Sequence, residues 1–369
     1  MGLHLNIPPD QVSSPATYEH RKRLWWTAYN FDRFWSCKLG LPVSIPDEDI
    51  LVDLPAEIPG TMEDICRQGF KDIGTDHLVA NVSLARLAGD IIRVIYGRGR
   101  QQESFSQRVE GILKALRAWS EELPAELQLN HGDNTGKPVS LHLAFNQLLT
   151  LATRPVLLHF LGCYLAASKA GDATTAWSNL PESARAVADA CIQTARHSCL
   201  LLTECWMNGS FQAYDFFYTQ YLFSASTILA ISAILPRRQD EPSYDDIGGF
   251  LNAADFLFQL HRLGNFAAQE FHSQTLGIIK FILGPLGITE IGDRGPRGQA
   301  THGPETPQRQ HFYTAMGLPY LDPASVGPGE DVFGASSLQN LLTDESLDFS
   351  FLDDAVIDEE RQEFYFQYP

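Results

Sequence analysis

Basic residues are scarce in this chain. The 369 residues include 27 Lys and Arg against 45 Asp and Glu, a formal net charge of -18. Proteins that neutralise DNA phosphates need clustered Lys and Arg, so the chain by itself is predicted to be a poor DNA binder. The acidity is concentrated near the end, where residues 322–369 hold twelve acidic residues and one basic residue, Arg361.

Metal-binding and catalytic motifs are also missing. The six cysteines, none in a Cys-x-x-Cys pair, are Cys37, Cys66, Cys163, Cys191, Cys199 and Cys205. We therefore expect reduced, buried thiols rather than a zinc site or a disulfide framework. Nucleophile-elbow, zinc-protease and phosphate-loop motifs are absent. His197, His261 and His272 could meet inside a helical bundle, but isolated histidines more often fill core or surface positions. We predict no enzyme and no cofactor.

Alternating strand patterns are absent too, and helical periodicity fills most of the chain. The sequence predicts an all-α fold, a multi-helix bundle. The expected helices cover residues 15–38, 77–97, 103–121, 138–168, 181–207, 211–235, 245–263 and 266–283, with a short one near 62–69.

The first predicted helix has clear start and stop signals. Ser13 or Ser14 can cap it before Pro15, and Gly40 followed by Pro42 ends it. Within the helix, an apolar stripe recurs at helical spacing and predicts the buried face. Its members are Leu24, Ala28, Phe31 and Trp35, with Trp25 beside them. Taken singly, each aromatic residue fits a core position and the basic run around Arg23 fits a solvated helix end.

The ordered string carries more information than its single residues. It resembles the regulatory middle homology region of fungal zinc binuclear cluster transcription factors, a resemblance that continues through residues 50–55 and covers about residues 1–165. The positions that carry it here are Arg23, Trp25, Trp26, Asp32, Arg33, Gly40 and Pro42, followed by Arg154 and Pro155.

The Arg154–Pro155 pair lies inside the long predicted helix. Pro155 lacks a backbone N–H and is expected to bend the helix, with the Arg154 guanidinium beside the bend. Two interpretations stay open: a packing kink with a surface ion pair, which we favour, or the lining of a ligand pocket between helices.

Residues 216–235 form a stretch of twenty residues without a charge, long enough to cross a bilayer. The stretch also contains Gln220, serines and threonines, and it lies between other helices. We predict a central core helix rather than a membrane span.

The C-terminal part has a different composition. We predict a helical regulatory domain at 1–285, a Pro- and Gly-rich flexible linker at 286–335 and an acidic, hydrophobic tail at 336–369. Carboxylates that alternate with large apolar residues are typical of disordered activation segments, the alternative being a solubilising tail. The apolar residues expected to contact a coactivator are Leu341, Leu342, Phe349, Phe351, Leu352, Phe364 and Tyr365.

The resemblance implies a nuclear regulator of transcription by RNA polymerase II, with a metabolite effector and a homo- or heterodimer partner as further expectations. In the family, zinc and DNA are bound by an N-terminal cluster that these 369 residues lack, so DNA binding is implied only through such an upstream region. Two other hypotheses stay open, a co-regulator or inhibitor without DNA contact and a helical ligand-binding protein. No membrane partner is expected.

Overall fold

The computed structural model describes residues 2–8, 15–57, 74–97, 103–129, 136–170, 181–235 and 246–283. Over these ranges the chain is all-α, as predicted, and contains no strand. Short 3-10 turns occur at Asp47–Asp49 and Ala125–Leu127. The helices are α1 (Pro15–Leu39), α2 (Thr75–Val94), α3 (Phe105–Glu122), α4 (Lys137–Ala170), α5 (Glu182–Met207), α6 (Phe216–Ile234), α7 (Asp246–Arg262) and α8 (Phe266–Leu283).

Several predicted features lie outside the described residues. These are the Ser13 or Ser14 cap, the helix near residues 62–69, Cys66, and the linker and tail with their boundaries at 285 and 335. The described part divides into two compact units. The first contains α1, α2, α3 and residues 140–152 of α4, and the second contains residues 137–139 and 153–170 of α4 together with α5 to α8.

The core of the first unit forms where α1 packs against α2. Trp26 and Tyr29 from α1 meet Leu78, Val82 and Ala85 from α2, with Val52 from the segment that follows α1. Deeper in the same unit, the Trp119 indole stacks on Phe145 at a centroid distance of 5.4 Å. A reciprocal capping box between Ser104 and Gln107 begins α3, because each side chain bonds the other residue's backbone N–H.

The second unit is organised around α6, which packs against α5, α7 and α8. Its buried positions include Thr219, Gln220 and Ser226 as well as aliphatic residues. By length and hydropathy, α6 and residues 138–168 of α4 both qualify as membrane spans. The most apolar stretch of α6 is 61% buried within the protein, and that of α4 is 50% buried. The burial of α6 against three helices agrees with the core-helix prediction; that no membrane is bound stays a prediction.

The predicted buried face of α1 is wrong. Leu24 and Phe31 are each 53% exposed and Ala28 is exposed, while Trp35 is half-buried. The buried residues of α1 are instead Glu19, Lys22, Trp26, Tyr29, Arg33 and Ser36. Three of these six are charged, so α1 buries its more polar face and exposes the apolar stripe.

Candidate functional site

The polar face of α1 is buried because it contacts a segment without regular secondary structure. Residues 50–57 run beside α1 with no helix or strand partner for their backbone groups. A buried backbone N–H or C=O needs a hydrogen bond, and here side chains of α1 supply several. We call α1 and residues 41–57 together the α1 clamp.

Three side chains near the start of the clamp bond the backbone of the segment. The Lys22 ammonium donates to the Leu54 carbonyl at 3.1 Å, and the Trp26 indole N–H donates to the Asp53 carbonyl at 2.9 Å. The Glu19 carboxylate accepts from the Ala56 N–H at 2.9 Å. Lys22 and Glu19 also form a buried ion pair at 2.8 Å, so each charge is compensated where water is excluded.

Arg33 is the centre of the other end of the clamp. Its side chain is 2% exposed, and its guanidinium donates to the Asp32 carboxylate at 2.6 Å, to the Ile45 carbonyl at 2.6 Å and to the Asp47 carboxylate at 2.5 Å. A planar fork of donors is suited to three acceptors at once. Asp32 also accepts hydrogen bonds from the Ser44 hydroxyl and N–H, so one Asp-Arg pair joins α1 to the turn that follows it.

Tyr29 completes this cluster. Its hydroxyl donates to Asp47 at 2.9 Å, and the Arg33 guanidinium lies 4.2 Å from its ring centroid. Burial raises the pKa of Tyr29 to about 12, although the charge of Arg33 acts in the opposite direction. Burial lowers the pKa of Arg33, but hydrogen bonding and charge from Asp47 and Tyr29 outweigh it and leave that pKa above its ordinary value. The cluster therefore holds Arg33 charged and Tyr29 neutral at physiological pH.

The end of α1 confirms the predicted stop signal. Gly40 has a φ of +62°, the left-handed conformation that glycine adopts without strain. The Leu41 N–H then donates to the Ser36 carbonyl at 3.0 Å, the bond of a Schellman motif. Pro42 follows, and its carbonyl accepts from the Ser36 hydroxyl at 3.3 Å. This turn directs the chain back along α1 and so creates the clamp.

The remaining motif residues of α1 have distinct environments. Arg23 donates to the Thr75 hydroxyl at 2.6 Å and lies 3.3 Å from Glu19, which ties α1 to the start of α2. Trp25, unlike fully buried Trp26, is half-buried with its ring 5.7 Å from that of His4. Its indole N–H is buried and has no hydrogen-bond partner in the part of the chain that the structure describes.

An open groove of about 510 Å³ borders the clamp. His4, Glu48, Asp49 and Leu51 are among its lining residues, and it lies in the first unit. Arg154, for which the alternative to a packing kink was the lining of a ligand pocket between helices, is not among the residues that line this groove.

Helix α4 runs through Pro155 as one element, and Arg154 and Pro155 are half-buried. The Arg154 charge acts on Cys191 of α5. Burial raises the pKa of the Cys191 thiol to about 11, and a hydrogen bond from Thr153 and the charge of Arg154 partly oppose that rise. Arg154 therefore lies near α5; which of its two interpretations holds stays open.

The second unit contains a buried ion pair that no sequence pattern indicated. Arg196 of α5 donates through Nε and Nη2 to the two carboxylate oxygens of Asp246, each at 2.8 Å. The Ser232 hydroxyl of α6 donates to the same carboxylate at 2.6 Å. Asp246 thus joins three helices, and no short-range pattern could have shown it, because Arg196 lies 50 residues away.

The histidines of the described helices are not part of a metal-ligating group. His261 acts on His272, whose pKa is lowered by burial and then by the His261 charge, against an opposing effect of Asp255. Across the described ranges, no group of three or more metal-ligating side chains occurs. The predicted tail residues, Leu341, Leu342, Phe349, Phe351, Leu352, Phe364 and Tyr365, lie outside those ranges.

Comparison with known proteins finds a family match over the region that contains the clamp. Residues 1–121, which include the whole clamp, match the fungal specific transcription factor domain. A transcriptional regulatory protein of Schizosaccharomyces pombe is 26% identical over 65% of this chain and 29% of its own length. The transcriptional activator protein acu-15 of Neurospora crassa is 30% identical over 44% of this chain and 19% of its own length. An acetamidase regulatory protein of Aspergillus fumigatus is 28% identical over 42% of this chain and 19% of its own length.

The matched stretches therefore span less than a third of these relatives. Their names and the family point to regulation of transcription rather than to catalysis. No solved structure matches the chain significantly.

Proposed function

We propose, from the fungal specific transcription factor domain in residues 1–121, that this chain is the regulatory and activating portion of a nuclear factor controlling transcription by RNA polymerase II. The α1 clamp is the observation that carries the proposal. Trp26, Asp32, Arg33 and Gly40, which gave the resemblance, are the residues that build it. DNA contact would come from a zinc cluster outside these 369 residues.

The acidic tail supplies the activating part of the proposal. Its apolar side chains alternate with carboxylates that keep them accessible, a composition that suits folding onto a coactivator groove. The helical region would control that exposure: apolar surface on the bundle holds Phe349, Phe351 and Leu352 until an effector or partner displaces them. Such a switch needs only a differential affinity of the effector for the two states.

Reporter assays test the tail directly. Residues 322–369 fused to a heterologous DNA-binding domain are expected to activate transcription. The matched control replaces Phe349, Phe351 and Leu352 by Ala, which keeps every carboxylate and should reduce activation several-fold. If neither fusion activates, the tail is a solubilising segment and the activating role is lost. If both activate equally, the tail activates but Phe349, Phe351 and Leu352 are not the residues that contact the coactivator.

The masking step needs the full chain. Fused to the same DNA-binding domain, residues 1–369 should activate less than residues 322–369 alone at equal protein level. Equal activation by the two fusions would leave the tail active but unregulated.

A co-regulator without DNA contact is the competing function, since the chain's own charge disfavours DNA. Mapping the 5′ end of the transcript separates the two. An upstream Cys-x-x-Cys cluster with a basic linker supports the DNA-binding factor, whereas a start immediately before Met1 supports capture of partner proteins.

A further inference from the structure

The outward face of α1 is unusually apolar for a surface helix. Leu24 and Phe31 are each 53% exposed, Ala28 is exposed and Trp35 is half-buried between them and the helix end. We call these four residues the α1 stripe. The stripe is exposed because the opposite face of α1 bonds the backbone of residues 50–57. Exposed apolar residues that form a continuous patch mark interaction surfaces.

The spacing of the stripe is that of a coiled-coil seam. Leu24, Ala28, Phe31 and Trp35 follow each other at four, three and four residues, the a and d positions of a heptad. This is the narrow two-position seam that suits one partner helix, and an isolated surface helix has no need of it.

The order of the residues in the stripe is self-complementary. Leu24 and Trp35 are equidistant from the midpoint between Tyr29 and Asn30, and Ala28 and Phe31 are equidistant from the same midpoint. A two-fold axis at that midpoint, perpendicular to α1, brings Leu24 opposite the second copy's Trp35 and Ala28 opposite its Phe31. In each layer a smaller side chain faces a larger one, as interdigitated packing requires.

We propose that the α1 stripe is the docking surface for a second copy of this chain, with the two α1 helices antiparallel about that axis. The contact is isologous, so it closes as a dimer and does not propagate into a filament. It requires neither DNA nor the tail and is independent of the proposed function.

Charges limit the extent of this interface. Positions 21 and 38 are also equidistant from the axis, so each end of the stripe brings a cationic residue of one copy, Arg21 or Lys38, toward that of the other. The Arg21 guanidinium itself donates to the Gly2 carbonyl at 2.8 Å. Four apolar side chains per copy bury well under the roughly 800 Å² per partner of a standard interface. The dimer is therefore weak and depends on protein concentration, and the positive charge of Lys38 lowers its affinity.

Sedimentation equilibrium on the purified full chain, from about 1 to about 100 µM, tests the proposal. The mass should rise from 41.1 kDa toward twice that value. Leu24→Glu and Phe31→Glu, both at exposed positions that cost the fold little, should each weaken the dimer at least about tenfold. Leu51→Glu is the matched control, because Leu51 is 64% exposed and lies outside the stripe.

A charge pair tests the antiparallel register. Leu24→Lys and Trp35→Glu should each weaken the dimer, and the double variant should recover much of the loss. Positions 24 and 35 are about 16 Å apart along one helix, too far to pair within a chain. Circular dichroism checks that Trp35→Glu is folded.

Lys38→Glu places an acid opposite Arg21 of the second copy and should tighten the dimer severalfold, an effect that salt removes.

Three outcomes overturn the proposal. The first is a chain that stays monomeric over the whole concentration range, as it would if its own tail or another helix covered the stripe. The others are stripe variants with the same dimer affinity as Leu51→Glu, and a double variant that dimerises no better than its single variants.

Discussion

The two units each depend on an ion pair, and the pairs differ in which partner is buried. In the first unit the Arg33 side chain is 2% exposed while Asp47 is 50% exposed. In the second unit the Asp246 side chain is 3% exposed while Arg196 is 17% exposed. The buried residue of the first pair is the cation Arg33, which donates to a backbone carbonyl and two carboxylates. The buried residue of the second pair is the acid Asp246, which accepts hydrogen bonds from three donor atoms.

This difference determines which substitution is costly. Arg33 keeps its ion pair with Asp32 when Asp47 is removed, so the buried cation stays compensated. Removal of Asp246 instead takes away the acceptor that Arg196 and Ser232 share. The first unit should therefore tolerate loss of its acid, and the second unit should not.

Asp246→Ala should have the largest effect. It leaves the partly buried Arg196 guanidinium and the buried Ser232 hydroxyl without their shared acceptor, at a cost of about 3 to 5 kcal/mol in the free energy of unfolding. Urea denaturation of the full chain measures this. Asp255→Ala is the control, since Asp255 is exposed and bonds Gln259 within its own helix; it should change stability by less than about 0.5 kcal/mol. Similar losses for both variants would contradict the comparison.

Arg33→Met should cost about 2 to 4 kcal/mol, because the Ile45 carbonyl and two carboxylates lose their donor. Asp47→Asn should cost less than about 1 kcal/mol, since half of Asp47 faces water. The same denaturation experiment gives both values. If Asp47→Asn is as harmful as Arg33→Met, the buried cation is not what determines the cost in the first unit.

Alkaline pH should destabilise the first unit through Tyr29. Its pKa is about 12 in the folded chain against 10 in the unfolded chain. The raised value adds stability that is complete below pH 10 and is lost as pH rises from 10 to 12, about 2 to 3 kcal/mol in total. Tyr29→Phe should lose this part of the pH dependence when stability is measured across that range. An unchanged slope would assign the dependence to other groups.

Gly40→Ala should have the smallest effect. The added Cβ meets no atom within 4 Å, so the cost is only that of the left-handed backbone, about 1 kcal/mol. Gly40→Asn should cost less, because Asn tolerates that conformation better. Thermal melting distinguishes the two; equal costs would point to lost turn geometry instead of conformational preference.

Local signals in the sequence predicted the helices well. Pro15 and Gly40 located α1 to within a residue, and periodicity located the boundaries of the other seven described helices to within five residues. The same local pattern assigned the wrong face of α1 to the core. Leu24 and Phe31 form the better apolar stripe, but the neighbour of α1 is an irregular backbone that needs hydrogen bonds, and this is information from a distant segment. The Arg196–Asp246 pair was missed for the same reason.

The two parts of the α1 clamp, the helix and the segment it binds, should tolerate substitutions to different degrees. Asp53 and Leu54 take part through backbone carbonyls, which every residue provides, and Ala56 through its backbone N–H, which every residue but proline provides. Lys22 and Trp26 take part through side chains. Residues 50–57 are therefore free to vary in side chain at their exposed positions, and the helix is not. A saturation scan would show strict positions on one face of α1 and permissive ones at the exposed side chains of the segment it binds.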